Sequence, residues 1–152
     1  MGFFDKLKGA MNAVTGGAAK VTLEFDPPQA QPGDTIRVKI SATSSGGEVK
    51  SKGVYVDLWG SENVRIPKGS GNNVGQEVTA TENTFTQEFQ IAPAFVLAAK
   101  ETKLWEGQLQ IPASVQPSYM GKLATHQWKI QGRIEAAGND PDSGWKDLRI
   151  GR

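Results

Sequence analysis

The sequence contains no cysteine and a single histidine among its 152 residues. The absence of cysteine excludes disulfide bonds, thiolate metal ligands and cysteine nucleophiles, and it is compatible with a reducing compartment. The lone histidine, His126, has no second histidine with which to share a zinc ion. It lies on the same face of a predicted strand as Trp128 and Ile130, so we expect a buried or edge residue that bonds to the backbone. The sequence therefore predicts neither a metal nor a cofactor.

An excess of charge of one sign is also lacking, because Lys plus Arg number 17 and Asp plus Glu number 16. A nearly neutral chain creates no strong field that would gather nucleic acid by counterion release. Long hydrophobic runs are missing as well, since APAFVLAA at 92–99 falls far below the roughly 20 residues that a membrane helix needs. No run near the N-terminus resembles a secretory signal. We expect a soluble, cytoplasmic protein with no nucleic-acid partner.

Residues 1–17 carry the one helical pattern in the chain. Apolar residues recur there at the i, i+3, i+4, i+7 spacing of a single helix face, at Phe3, Phe4, Leu7, Ala10, Met11 and Val14. Lys6 and Lys8 belong to the polar side, and a glycine pair at 16–17 ends the pattern in a pliant joint. We predict a short amphipathic helix and joint over 1–17, followed by one domain over 18–152.

From Lys20 onward the hydrophobic period changes from 3.6 to 2, which is typical of half-buried strands. In KVTLEFD, for example, Val21, Leu23 and Phe25 share one face. The strand-like segments are 20–26, 35–42, 53–60, 83–91, 104–111, 124–136 and 145–150. About seven strands with turn signals between them predict an all-β fold, an antiparallel immunoglobulin-like β-sandwich, with a barrel as the alternative.

The connection QIPASVQPSYMGKL at 110–123 contains two prolines. Pro112 ends the preceding strand because it removes a ladder donor, and Pro117 fixes its own φ, so the loop has few conformations to lose on folding. We interpret this segment as a rigid corner between two strands. The alternative is a contact patch formed by Tyr119 and Met120.

Motifs of enzymes are not recognisable in the sequence. The glycines of KGSGNNVG at 68–75 match neither a P-loop nor a dinucleotide fingerprint. Asp140, Asp142 and Asp147 lack the glutamate and glycine spacing of a calcium-binding EF-hand loop, so turn chemistry explains them better. We therefore expect a protein that is not an enzyme.

Several stretches of the chain taken together resemble the bacterial sporulation-control protein family. They are FFDKLKG at the N-terminus, GAAKVTLEF, QPGDTIRVKI, and LWEGQLQIPASVQPSYMGKLATHQWKIQGRIEA. The resemblance implies the fold of an arrestin N-terminal domain, in which a Pro-Gly-acidic turn joins the first strands and a proline-bracketed turn leads into a long strand. The chain has room for one such sandwich, where that wider group commonly has two in tandem.

Two functions follow as expectations. The first is a non-enzymatic adaptor or scaffold that binds a protein partner through a sheet edge, end loops or the N-terminal helix, as the arrestin-like resemblance implies. The alternative is a peripheral membrane protein whose helix places Phe3 and Phe4 in the interface and Lys6 and Lys8 near anionic headgroups. The helix has three possible surfaces to lie on: its own domain, a second copy in self-association, or a membrane or partner. The candidate contact residues are Phe3, Phe4, Lys6, Leu7, Lys8, Met11 and Val14.

Overall fold

A computed structural model describes residues 18–69, 75–138 and 140–151 of the chain. Within these ranges every regular element is a strand: β1 (Ala19–Asp26), β2 (Gln29–Ala30), β3 (Thr35–Ser44), β4 (Val49–Ile66), β5 (Val78–Ala92), β6 (Phe95–Leu97), β7 (Thr102–Gln110), β8 (Tyr119–Met120), β9 (Ala124–Ala136) and β10 (Lys146–Ile150). The all-β prediction is thereby confirmed. The described part of the chain contains no helix long and apolar enough to span a membrane.

The strands form two sheets that pack face to face. The smaller sheet has the order β1-β3-β7, and the larger has the order β2-β10-β9-β4-β5, with β6 added to β4 and β8 added to β9. One detail of the prediction is wrong, because the larger sheet is mixed and not purely antiparallel. The short β2 runs parallel to β10, and the Gly151 N–H donates to the Ala30 carbonyl at 2.7 Å. The segment after β1 thus leaves the smaller sheet and completes the larger one.

The core lies between the two inner faces, where alternate residues of each strand are buried. Its largest fully buried members include Leu23, Ile36, Ile40, Leu58, Leu97, Ile111, Trp128, Ile130, Ile134 and Ile150. The two sheets approach each other closely at Gly132 of β9, where an added Cβ would lie 3.3 Å from the Leu23 Cβ. A side chain at this position would force the sheets apart, so glycine permits the close packing.

The Pro-Gly-Asp segment forms the predicted turn between β2 and β3. Gly33 has a φ of +91°, a conformation that glycine adopts without steric cost. The Asp34 amide donates to the Gln31 carbonyl at 2.9 Å, and the Asp34 carboxylate accepts from the Gln31 amide at 2.9 Å. The side chain therefore closes the turn that proline and glycine begin.

The outer face of the larger sheet is braced by Arg133 of β9. Its guanidinium pairs with Asp57 of β4 at 2.8 Å, with Glu88 of β5 at 2.9 Å and with Asp140 at 3.3 Å. It also lies over the Tyr55 ring, 4.7 Å from the centroid. Burial alone would lower the pKa of Arg133, but the hydrogen bond and charge of Asp57, together with Glu88, outweigh it and raise the pKa. One side chain thus joins three strands and the loop that follows β9.

Strands β4 and β5 are much longer than the sequence predicts, with 18 and 15 residues. Their hairpin therefore projects beyond the end of the sandwich, where the smaller sheet no longer covers its inner face. We call this projection the wing and define it as residues 61–66 of β4, residues 78–83 of β5, β8, and residues 124–126 of β9.

Candidate functional site

Strand β5 is the most exposed strand edge in the described part of the chain. Among the described strands it pairs only with β4, and every residue from Val78 to Thr84 is exposed on both faces of the strand. The other long edges are β1 and β7, which carry Lys20 and Lys103. Lysine and proline normally protect an edge strand against pairing with another chain. The segment 78–91 of β5 contains neither residue type.

The inner face of the wing combines an apolar row with an acidic row. Register places Val64 opposite both Ala80 and Ala124, and Ile66 opposite Val78. Val78 is 49% exposed although its side chain is on the face that is buried elsewhere in the sheet. Val64 and Ile66 are half-buried and Val78 is exposed, so the row leaves apolar surface open to a partner at the end of the wing.

The acidic row lies directly beside the apolar one. Glu62 of β4 is opposite Glu82 of β5 on one side and opposite His126 of β9 on the other. Two like charges directly opposite each other on neighbouring strands destabilise a sheet. Glu82 forms no ion pair with any residue within the described ranges. The row therefore offers an electrostatically favourable place for a cation from outside.

Glu62 is held in its charged form by two neutral donors. The Tyr119 hydroxyl and the Gln116 side-chain amide, the latter at 3.2 Å, both donate to the Glu62 Oε2. These hydrogen bonds, that of Tyr119 first, lower the pKa of Glu62. The same bond stabilises the neutral phenol and raises the pKa of Tyr119. The carboxylate that borders the apolar row is consequently fixed in position and in charge.

His126 joins the wing to the proline-containing loop, as a buried histidine that bonds to the backbone. Its side chain is 1% exposed, and its Nδ1 lies 3.0 Å from the Pro117 carbonyl oxygen. Since that carbonyl only accepts, Nδ1 carries the proton, and in the neutral ring Nε2 accepts from the Thr84 hydroxyl at 2.6 Å. Both ring nitrogens are therefore occupied by bonds within the domain. The prediction of a buried or edge histidine bonded to the backbone is confirmed.

The segment 112–118 is anchored from several sides, in agreement with its interpretation as a rigid corner. The Trp128 indole N–H donates to the Gln116 carbonyl at 2.8 Å, and the Ile150 amide donates to the Ser118 hydroxyl at 3.0 Å. A pocket of about 310 Å³ opens between this loop and β5, and Phe85, Val115 and Trp128 contribute to its wall. The pocket lies at the base of the wing and adds a concave site with a mixed polar and apolar lining.

The turn between β8 and β9 carries exposed apolar side chains. Met120 is 87% exposed, and Leu123 and Tyr119 are also exposed. The Gly121 amide donates to the Ala124 carbonyl at 2.7 Å and closes the turn, while the Arg65 amide donates to the Leu123 carbonyl at 2.8 Å and ties the turn to β4. The predicted contact patch of Tyr119 and Met120 therefore belongs to the same wing.

The seven candidate contact residues of the predicted N-terminal helix lie outside the described residues; they are Phe3, Phe4, Lys6, Leu7, Lys8, Met11 and Val14. The acidic loop behaves as turn chemistry predicts: Asp142 accepts from the Gly144 amide at 2.8 Å, and Asp140 pairs with Arg133. Within the described ranges no three His, Cys, Asp or Glu side chains are grouped so that they could hold a metal ion.

Sequence reasoning missed the wing, because residues 61–82 are rich in polar residues, glycine and turn-forming residues and were not predicted to be strands. The alternation of apolar and polar residues that marks a strand is present in this region, but it is short. Val64 and Ile66 on one side, and Val78 and Ala80 on the other, each alternate with polar residues. Two such pairs are too few to separate a strand from a loop by periodicity alone.

No protein-family profile matches the chain, and no curated protein sequence matches it. Among solved structures, the fold is similar to that of Spo0M, a sporulation control protein from Bacillus subtilis, with a TM-score of 0.64 and 17% sequence identity. The alignment covers 90% of this chain and 50% of that one.

Two other matches are more distant. An alkylpurine DNA glycosylase, AlkC, from Pseudomonas fluorescens has a TM-score of 0.45 and 14% identity, with 89% of this chain and 31% of that chain covered. A CARDB domain from Pyrococcus furiosus has a TM-score of 0.42 and 10% identity, with 88% and 87% covered. The likeness to Spo0M shows a shared fold, and this chain spans half the length of that protein.

Proposed function

We propose that this protein is a non-enzymatic adaptor or scaffold that binds another protein through the wing. The observation that carries the proposal is the outer edge of β5, to which no other described strand pairs, on a strand of 15 residues whose segment 78–84 is exposed on both faces. An extended segment of a partner can add to such an edge as a further strand, and its main chain then bonds to the unpaired N–H and C=O groups.

The face of the wing supports the same proposal, because an added strand also presents side chains to it. Alternate residues of that strand would lie beside Val78 and Ala80 of β5 and extend the apolar row that continues to Val64 and Ile66 on β4. The pocket at the base of the wing would accept a further side chain near Trp128 and Phe85. Main-chain bonds supply affinity and pockets for alternate side chains supply specificity, which is the general pattern of recognition by strand addition.

A proline test separates the edge from the rest of the strand. Neighbouring residues of an edge strand point their N–H groups alternately into the ladder and away from it. Of the variants Thr81→Pro and Glu82→Pro, one therefore loses a ladder bond and stability, and the other loses only an outward donor. We expect the variant that loses only an outward donor to keep the melting temperature of the wild type. The same variant should fail to bind the partners that the wild type captures from its host.

The matched control uses two valines of nearly equal exposure. Val78 on the wing is 49% exposed and Val96 on β6, at the opposite end of β4, is 48% exposed. Val78→Asp is expected to abolish capture of the proteins that the wild type enriches, and Val96→Asp is expected to leave it intact. Equal capture by all stable variants would refute the proposal that the wing is the binding surface.

A second candidate function is peripheral docking on a membrane through residues 1–17. It rests on the amphipathic pattern of the sequence, with Phe3 and Phe4 beside Lys6 and Lys8. Flotation of the full chain with anionic vesicles, lost in Phe3→Asp and retained in Val78→Asp, would favour this alternative over the wing.

A further inference from the structure

We infer that the partner of the wing includes a second copy of this chain, whose amphipathic segment 3–14 lies on the open face of the wing. The inference rests on the proposed function, because it names a ligand for the same surface. Three observations carry it: the chemistry of the face, the chemistry of the segment, and the distance between them within one chain.

The first observation is the pairing of apolar and acidic rows on the wing. Val64, Ile66 and Val78 form an apolar strip that is half-buried at the first two and exposed at Val78, and Glu62 and Glu82 lie beside it and form no ion pair within the described ranges. A ligand that fits this face has a stripe of large apolar side chains and a cation at its border. Such a cation relieves the repulsion between the two opposed carboxylates.

The second observation is that the segment 3–14 has this chemistry. Its apolar stripe is formed by Phe3, Phe4, Leu7, Met11 and Val14, and Lys6 and Lys8 lie among its polar residues. A helix of this length is marginal in water and needs an apolar surface to stabilise it. The stripe and the lysines complement the strip and the carboxylates of the wing.

The third observation is that the segment leaves the domain at the wrong end to reach its own wing. The Ala18 carbonyl accepts from the Ser45 amide, and Ser45 lies just before the start of β4, whereas the wing is at the far end of that strand. From Val49 to Val64 the path along β4 is roughly 50 Å at about 3.3 Å per residue.

A helix over 3–14 is only about 18 Å long at 1.5 Å per residue. The three linking residues at 15–17 add at most about 10 Å even when they are fully extended. A helix over 3–14 would therefore fall short of the wing of its own chain, so we assign it to the wing of another copy. The contact is head-to-tail, so each chain offers one helix and one wing.

A mixing experiment with full-length chains tests this arrangement. The tail variant is Phe3→Asp with Leu7→Asp, the wing variant is Val78→Asp with Ala80→Asp, and Val96→Asp is the control. Circular dichroism and melting curves first show that each variant is folded. Molecular mass is then measured by sedimentation over a range of concentrations.

The wild type and the control should show masses that rise above one chain with concentration, while each of the two variants alone remains a single chain. An equal mixture of the tail and wing variants should form a two-chain species and nothing larger. In that mixture the intact N-terminal segment of the wing variant binds the intact wing of the tail variant. The other segment and the other wing carry the substitutions, so no third chain can add.

Charge reversal gives a second readout of the same contact. Glu82→Lys should weaken the association severalfold, and adding Lys6→Glu and Lys8→Glu to the same chain should restore much of it, since opposite charges then face each other again. No recovery in this variant, at unchanged fold, would argue against the lysines as the cations of the acidic row.

Other outcomes would overturn this inference without overturning the proposed function. A wild type of single-chain mass at every concentration excludes a second copy as the ligand. If the wing variant still self-associates, or if the mixture stays monomeric while the wild type associates, the contact is not helix on wing. In each case, loss of other captured proteins by Val78→Asp alone would still support the wing as a binding surface for a different partner.

Discussion

Replacement of His126 by alanine should destabilise the domain strongly, because this side chain joins the wing to the loop 112–118. The imidazole is 1% exposed and makes two hydrogen bonds, to the Pro117 carbonyl and to the Thr84 hydroxyl. Its removal breaks both bonds, and because Thr84 and Pro117 are exposed to water, each lost bond costs about 0.5–1.5 kcal/mol. The space left by the ring adds a further cavity term.

The sum of these effects is a loss of about 3–5 kcal/mol in the free energy of unfolding. For a chain of this size, a loss of 1 kcal/mol lowers the melting temperature by roughly 2–4 °C, so we expect a drop of about 10 °C. Urea unfolding followed by tryptophan fluorescence measures the change, since Trp128 lies beside the site with its ring centroid 5.5 Å from that of His126. At a temperature where the variant is folded, partner binding through the wing should persist.

Thr84→Val is the matched control, because it removes the hydroxyl group and keeps the branched shape. Alone it leaves Nε2 of His126 without a donor and should cost about 1–3 kcal/mol. Combined with His126→Ala it should cost less than the sum of the two, since both changes break the same hydrogen bond. A loss below about 1 kcal/mol in His126→Ala, or strict additivity in the double variant, would refute the structural role assigned to the histidine.

Three further predictions concern the charged groups. Tyr119→Phe should raise the pKa of Glu62 toward its ordinary value, as measured by NMR titration of the carboxyl carbon. In the wild type the lowered pKa contributes stability that is present above the unfolded-state pKa and is lost as the pH falls through the folded-state value, so a pKa unchanged by the substitution would contradict the hydrogen bond. Arg133→Gln should cost about 3–5 kcal/mol in urea unfolding because Asp57, at 18% side-chain exposure, loses its buried partner, and a neutral effect would show that the brace contributes little. Chelators should leave the melting temperature unchanged, whereas a drop that calcium reverses would mean that the loop after β9 binds a metal.

Much of the fold follows from local sequence signals. The sequence predicts the long strand β9 with the bounds that the structure shows, Ala124–Ala136, because apolar and polar residues alternate along its whole length. The turn at Gly33 was predictable because proline and glycine each allow a narrow range of backbone angles. The rigidity of the proline-containing loop was likewise a property of Pro112 and Pro117 themselves.

The candidate site depended on the tertiary structure, since it arises where one sheet extends beyond the other. Nothing local to Val64 or Val78 indicates that the opposite sheet has ended, and nothing local to Glu62 indicates that Glu82 and His126 will be its neighbours. Those neighbours come from strand register, which connects residues far apart in the chain. Sequence alone therefore determined which segments are strands and which face of each is apolar. Only the packing of the two sheets decided which part of that apolar face remains open to a partner.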